Sequence, residues 1–219
     1  MMAYSCLVIG SDNPPRISKK VLFLVEGEDD GVFLEELFGQ LGLPEDLIEV
    51  RFVKGKPQFA GYIGALMKDP AFTSGRLEKV CVVVDADADH AATSAEMVAI
   101  FSRAGVHDVK ANDFVTFSGV RVGLFVLPGD GLTGELEDIV INSNFDDPRF
   151  IHARDSLVRF QSGEENWRKH SKRVVQIALA LSRIELCAGV GRGLRNNAFN
   201  ITLDATEEFN EFVSRFLGE

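Results

Sequence analysis

Two apolar runs that both end in acids constrain this chain more than any other feature. VLFLVEGEDD, residues 21–30, and VCVVVDADAD, residues 80–89, each pass straight from buried-type side chains into carboxylates. A short, unbroken apolar run flanked by turn residues reads as a strand covered on both faces, the kind found in parallel sheets. Parallel sheets gather their ligand sites at the carboxyl ends of the strands. If these two strands are neighbours, Glu26, Asp85 and Asp87 converge within a few ångströms. Such a cluster is unfavourable unless a cation neutralises it or the carboxyls hold their protons. Carboxylates with no histidine or cysteine among them select hard cations, so Mg²⁺ or Mn²⁺ is the expected cofactor.

The rest of the chain supplies the sheet these strands need. Strands are expected at 20–26, 48–53 (IEVRFV), 79–85 and 119–128, with Pro128 closing the last. Helical spacing appears at 30–42, 57–68, 91–105, 135–143, 164–187 and 206–217, and Gly105 makes a natural stop for the third of these. Alternation of strand and helix predicts an α/β fold, a mostly parallel sheet flanked by helices, with a helical C-terminal segment. Residues 1–19 read as an irregular lead-in, 20–148 as the core that carries the site, and 149–219 as a basic, mainly helical extension packed on it. The segment AGVGRGLRNN, 188–197, reads as a glycine-rich connector.

Charge is unevenly spread. The chain of 219 residues carries a formal net charge of −10, which disfavours passive adhesion to nucleic acid. Residues 149–200 nevertheless hold ten Lys or Arg against four acids. Such a segment could bring a polyanion, DNA or RNA, to the acidic site; a solvated basic helix face is the alternative. Arg168, Lys169, Lys172 and Arg173 are the candidate phosphate contacts, and Trp167 is available for base stacking or for helix packing. No apolar run approaches the roughly 20 residues that span a bilayer, so no membrane partner is expected. The N-terminal MMAYSCLVIGSDNPPR has no basic leader, and Cys6, Cys81 and Cys187 form no CxxC pair. A cytoplasmic protein with reduced thiols, and no zinc site, is expected.

Several acids have more than one reading. Asp30 falls in the first turn of a helix, where it can cap the helix or face the site; Glu28 and Asp29 read as solvated surface. Gly27 would give the backbone freedom to turn between Glu26 and Asp30. The spacing of Asp85, Asp87, Asp89 and Glu96 matches an EF-hand loop, but His90 replaces the required glycine and a strand replaces the entering helix. That reading is rejected. Lys54 and Lys56 in VKGKPQ could face a phosphate or sit in a surface loop. No GxxxxGK[ST] loop is present, and the GVGRG glycines follow no strand, so nucleotide-binding loops are not expected.

VEGEDD followed by VVVDADAD resembles the two signature motifs of the Toprim fold, a glutamate after one strand and Asp-x-Asp after a later one. With PGDGLTGELEDIV downstream and FNEFVSRFL near the end, residues 20–217 look most like stand-alone Toprim-like proteins of unknown function. Those proteins are related to the overcoming-lysogenization-defect (OLD) nucleases. The resemblance implies a Rossmann-like Toprim core in which Glu26 is a metal ligand or general base and Asp85 and Asp87 hold a catalytic Mg²⁺. It also implies that Asp30 and Glu137, with Asp138 or Glu135 as alternates for the latter, support a second metal. The expected activity is divalent-metal-dependent phosphodiester hydrolysis on DNA or RNA. The alternative is a non-catalytic, metal-modulated binding module, with a homodimer or a protein partner. Only Tyr4 and Tyr62 could serve as a tyrosine nucleophile, and neither is placed for topoisomerase chemistry.

Overall fold

The computed structural model describes residues 6–8, 16–160, 170–182 and 189–218. Its centre is a six-stranded sheet formed by β1 (Cys6–Val8), β2 (Val21–Val25), β3 (Ile48–Phe52), β4 (Lys79–Asp85), β5 (Asp113–Phe117) and β6 (Val120–Leu127). The strand order is β1-β3-β2-β4-β6-β5, parallel throughout except for the antiparallel β5–β6 edge. The α/β expectation therefore holds. Two strands were not foreseen. β1 lies in the stretch read as irregular, and β5 is the short antiparallel partner of β6.

The helices are α1 (Glu28–Gln40), α2 (Phe59–Leu66), α3 (Pro70–Thr73), α4 (His90–Arg103), α5 (Leu136–Ser143), α6 (Pro148–Phe160), α7 (His170–Ser182), α8 (Val190–Arg195) and α9 (Glu207–Leu217). Alternate side chains of the strands build two cores. Phe23, Val50, Cys81 and Phe125 point to a face covered by α1 and α5 to α9. Leu22, Leu24, Val82 and Leu124 point to the face covered by α2, α3 and α4. Because the central strands are buried on both sides, they read as continuous apolar runs rather than alternating ones.

α9 shows how sequence, packing and end-capping agree. Phe209, Phe212, Val213 and Phe216 follow helical spacing and are all buried. Gly123 in β6 makes room for them, since a Cβ there would lie 3.0 Å from the Phe216 ring and 3.1 Å from Phe212. At the other end Lys79 donates to the Leu217 carbonyl at 2.6 Å and Arg121 to the Phe216 carbonyl at 2.7 Å. Both cations thus satisfy open carbonyls at the negative end of the helix dipole.

Two local expectations are corrected, and a third is met over the residues described. The helix expected at 57–68 starts as a 3₁₀ turn at Lys56–Gln58 and continues only over Phe59–Leu66. The expected connector at 188–197 contains helix α8. Of the helical stretch expected at 164–187, residues 170–182 are helix, and Arg168, Lys169 and Trp167 lie outside the described residues. No helix among the described residues is long and apolar enough to cross a membrane.

Candidate metal centre

The connection that follows β2 runs through α1 to β3 on one side, and the connection that follows β4 runs to β6 on the other. Between the carboxyl ends of β2 and β4 the chain direction therefore switches, which opens a crevice in an α/β sheet. A cleft of about 460 Å³ occupies that place. The exit of β2 contributes Glu26 and Asp30, the exit of β4 contributes Asp85 and Asp87, and the start of α5 contributes Glu135 and Glu137. Among the described residues, Lys172 of α7 is the one basic residue in its wall. Glu26, Asp30, Asp85, Asp87 and Glu137, named as site candidates from sequence, thus come together.

Several of the acids are held by the backbone. Asp30 accepts the Gly27 N–H at 2.7 Å, so it caps α1 and lines the cleft at once. Gly27 itself is in ordinary extended backbone (φ −128°), which corrects the idea that it supplies a sharp turn. A Cβ there would instead sit 3.2 Å from the Asp30 carboxylate. Asp87 has a left-handed φ of 53° and is clipped to Gly134 by two backbone hydrogen bonds, each 2.9 Å. Asp89 accepts the Ala92 N–H at 2.9 Å and caps α4, which leaves it outside the cleft. Asp138 accepts the Glu135 N–H at 2.8 Å and the Ser171 hydroxyl, so its carboxylate holds the start of α5 against α7.

The electrostatics follow from this crowding. Burial, then the charges of Asp30 and Glu137, push Asp85 well above the usual carboxylate range. Burial pushes Asp30 up to about 7, with Glu26, Asp29 and Glu137 adding to it and the Gly27 N–H opposing it. Burial also raises Glu26, against the pull of the Lys56 ammonium, and raises Glu135, with Glu137 as the next cause. For Lys172, burial disfavours the charge, but Glu137 and Glu135 outweigh it and raise the ammonium. Asp85 Oδ1 is buried and makes no hydrogen bond.

Two lysines meet the carboxylates. Lys172 Nζ lies 3.5 Å from Glu137. Lys56 Nζ pairs with Asp87 and donates to the Asp85 backbone carbonyl at 2.9 Å. Among the described residues, no three His, Cys, Asp or Glu side chains are drawn close enough to hold one metal ion as they stand. The donors in the cleft are all oxygens, the set that a hard divalent cation takes.

A family model matches residues 20–217, nearly the whole chain. The chain belongs to DUF3226, a family described as a protein of unknown function. Among solved structures, the C-terminal region of the OLD protein of Xanthomonas campestris pv. campestris is similar to this DUF3226 chain. It shares 15% identity, with 90% of this chain and 95% of that one covered, at a TM-score of 0.49. No curated protein matches.

Sequence reasoning missed two features of this DUF3226 site. Lys172, grouped with the basic residues expected on nucleic acid, also faces the acids, which was not foreseen; Arg173 beside it is exposed on α7. Lys54 is exposed at a left-handed φ of 64° and does not line the cleft. Asp29, read as solvated surface, accepts the Gly191 N–H at 2.9 Å. A Cβ on Gly189 would fall 1.7 Å from its carboxylate, which explains why the segment is rich in glycine. The GVGRG spacing was the available signal: closely spaced glycines mark close approach by another group.

Proposed function

We propose that this cleft holds a divalent cation, Mg²⁺ or Mn²⁺, and that the protein hydrolyses phosphodiester bonds in DNA or RNA. The reading joins the Toprim-like motifs to one decisive observation. Asp85 is a buried carboxylate with an unpartnered oxygen, crowded by Asp30 and Glu137 at the switch point of the sheet. A cation at this crowded switch point would give that oxygen the partner that buried polar atoms usually have.

Asp85, Asp87 and Glu26 would be the principal ligands, with Asp30 and Glu137, which crowd Asp85, as further ligands. A bound cation would supply Lewis-acid stabilisation of phosphoryl oxygens and a more acidic water. Glu26, raised by burial, would alternatively serve as the general base that takes a proton from an attacking water. Lys172, held by Glu137, can orient a phosphate oxygen. The basic residues of α7 and the segment before it, Arg168, Lys169 and Arg173, would contact the polymer away from the scissile bond, a sequence-independent attraction that weakens with salt.

The test is cleavage of labelled single- and double-stranded DNA and RNA with Mg²⁺ or Mn²⁺, beside the paired Asp85→Ala and Asp87→Ala protein. Metal-dependent cutting by the native chain, lost in the variant, is the expected result. Absence of cutting with strand binding retained would select the binding-module reading. That reading draws its support from the two lysines already engaged on Asp87 and Glu137.

A further inference from the structure

Lys56 lies on the turn that leaves β3, and that turn is fastened to the acidic cleft at several points. Val53 N–H donates to the Val25 carbonyl and Gly55 N–H to the Glu26 carbonyl, both at 3.0 Å. Lys54 and Gly55 take left-handed φ values of 64° and 109°, which reverse the chain toward the cleft. The backbone N–H of Lys56 then meets the Glu26 carboxylate, while its ammonium bonds the Asp85 carbonyl and the Asp87 carboxylate. The Lys56 side chain is only 18% exposed. Asp87, the partner, is fixed by its double backbone link to Gly134. The ammonium end of this ion pair is therefore anchored and the Asp87 main chain is held, while the Asp87 carboxylate is 55% exposed and open to a competing cation.

An ammonium on Asp87 occupies the carboxylate that a cation would need. We propose, resting on the metal-dependent reading above, that Lys56 is a resident counter-ion that competes with the divalent cation for Asp87. It holds cation affinity down in the absence of substrate. When the cation takes Asp87, the ammonium is released beside the cleft, where a substrate phosphate can receive it. Cation and phosphate then favour each other's binding, because each gains from the same displacement of Lys56 and such coupling is reciprocal.

The experiment measures Mn²⁺ alone, by calorimetry and by the loss of the free-ion EPR signal, on the full chain without nucleic acid. Lys56→Met should bind Mn²⁺ at least about tenfold more tightly than the native protein, since a unit charge a few ångströms from the ion has been removed. Lys56→Arg, which keeps the charge, should stay near the native affinity. In an Asp87→Asn background, Lys56→Met should tighten Mn²⁺ binding much less, and the difference between the two backgrounds isolates the pair. Circular dichroism melts of each variant establish that it is folded. Equal or weaker binding by folded Lys56→Met, with Asp85→Asn still abolishing it, would overturn the counter-ion role and leave the metal reading standing. Native and Asp85→Asn proteins that bind Mn²⁺ alike would overturn the metal reading and this inference with it.

Discussion

On β3 a carboxylate and a guanidinium are buried together, while at the exits of β2 and β4 carboxylates are crowded with Lys56 and Lys172 at their margin. Glu49 and Arg51 sit two residues apart, so both point to one face of the sheet. Glu49 is 0% exposed and Arg51 2%. The guanidinium pairs with Glu49 and reaches the Tyr62 hydroxyl at 3.3 Å, and Glu49 also accepts the Ser18 N–H at 3.1 Å. Arg51 Nη2 makes no hydrogen bond but is ion-paired with Glu49, so the two opposite charges compensate each other. In the cleft, by contrast, Asp85 keeps an unpartnered oxygen and Asp30 is raised to about 7. Burial of charge alone therefore does not mark a site; incomplete compensation beside a cavity does.

The contrast is sharpest if each cluster loses one charge. Arg51→Met strands the Glu49 carboxylate in the core, and a loss of about 3–5 kcal/mol is expected in a urea melt. Glu49→Leu combined with Arg51→Met should recover most of that, because no lone charge is left behind. Asp85→Asn should behave in the opposite way. It relieves repulsion, so the metal-free protein should melt higher at pH 7.5, while metal-dependent cleavage falls on the order of 100-fold or more. An Asp85→Asn protein that is destabilised and still active would remove the distinction between the two clusters.

Protons give a third and smaller test. Asp30 ordinarily titrates near 3.8 and is raised to about 7 here. Between those values the folded state binds more protons than the unfolded one, so stability falls as pH rises. This contribution is fully present below about pH 4 and is lost as pH passes through about 7. Asp85 and Glu26 are shifted in the same direction. Without metal, the melting temperature should drop by several degrees from pH 5 to pH 8, a change of roughly 2–3 kcal/mol from Asp30 at 2–4 °C each. Mn²⁺ should restore it at pH 8 and do little at pH 5. A flat profile in both conditions would mean that the carboxyls do not crowd.

Much of this was legible in the chain because single stretches carried it. VLFLV and VCVVV are continuous apolar runs because β2 and β4 are covered on both sides, and the acids that follow lie at the switch point. DFVTF at 113–117 hid strand β5, since an edge strand is partly exposed and lacks such a run. IEVRF was readable as a strand, but its alternation suggests a face in water. Tyr62 on α2 and Ser18 on the approach to β2 close that face, and nothing in the five residues announces them. The contacts that cross the chain were the hardest to foresee. Asp29 meets Gly191 across 162 positions, and Lys172 reaches Glu137 from a segment whose composition pointed toward phosphate instead.

The smallest effect tests whether compensation matters at all where water already screens the charge. Lys20 and Glu78 approach to 2.6 Å, with side chains 56% and 48% exposed. Lys20→Ala removes the ammonium but keeps the backbone carbonyl of residue 20, which accepts the Glu78 N–H at 2.7 Å and the Lys79 N–H at 3.1 Å. The expected loss is below about 0.5 kcal/mol in the same urea melt, because exposed pairs gain little in a high dielectric and must order two long side chains. A loss above about 1 kcal/mol would show that charge pairing stabilises this protein independently of burial. The lysines at the cleft would then have a structural reason to be there, and the contrast between a closed pair and an open cluster would lose its force.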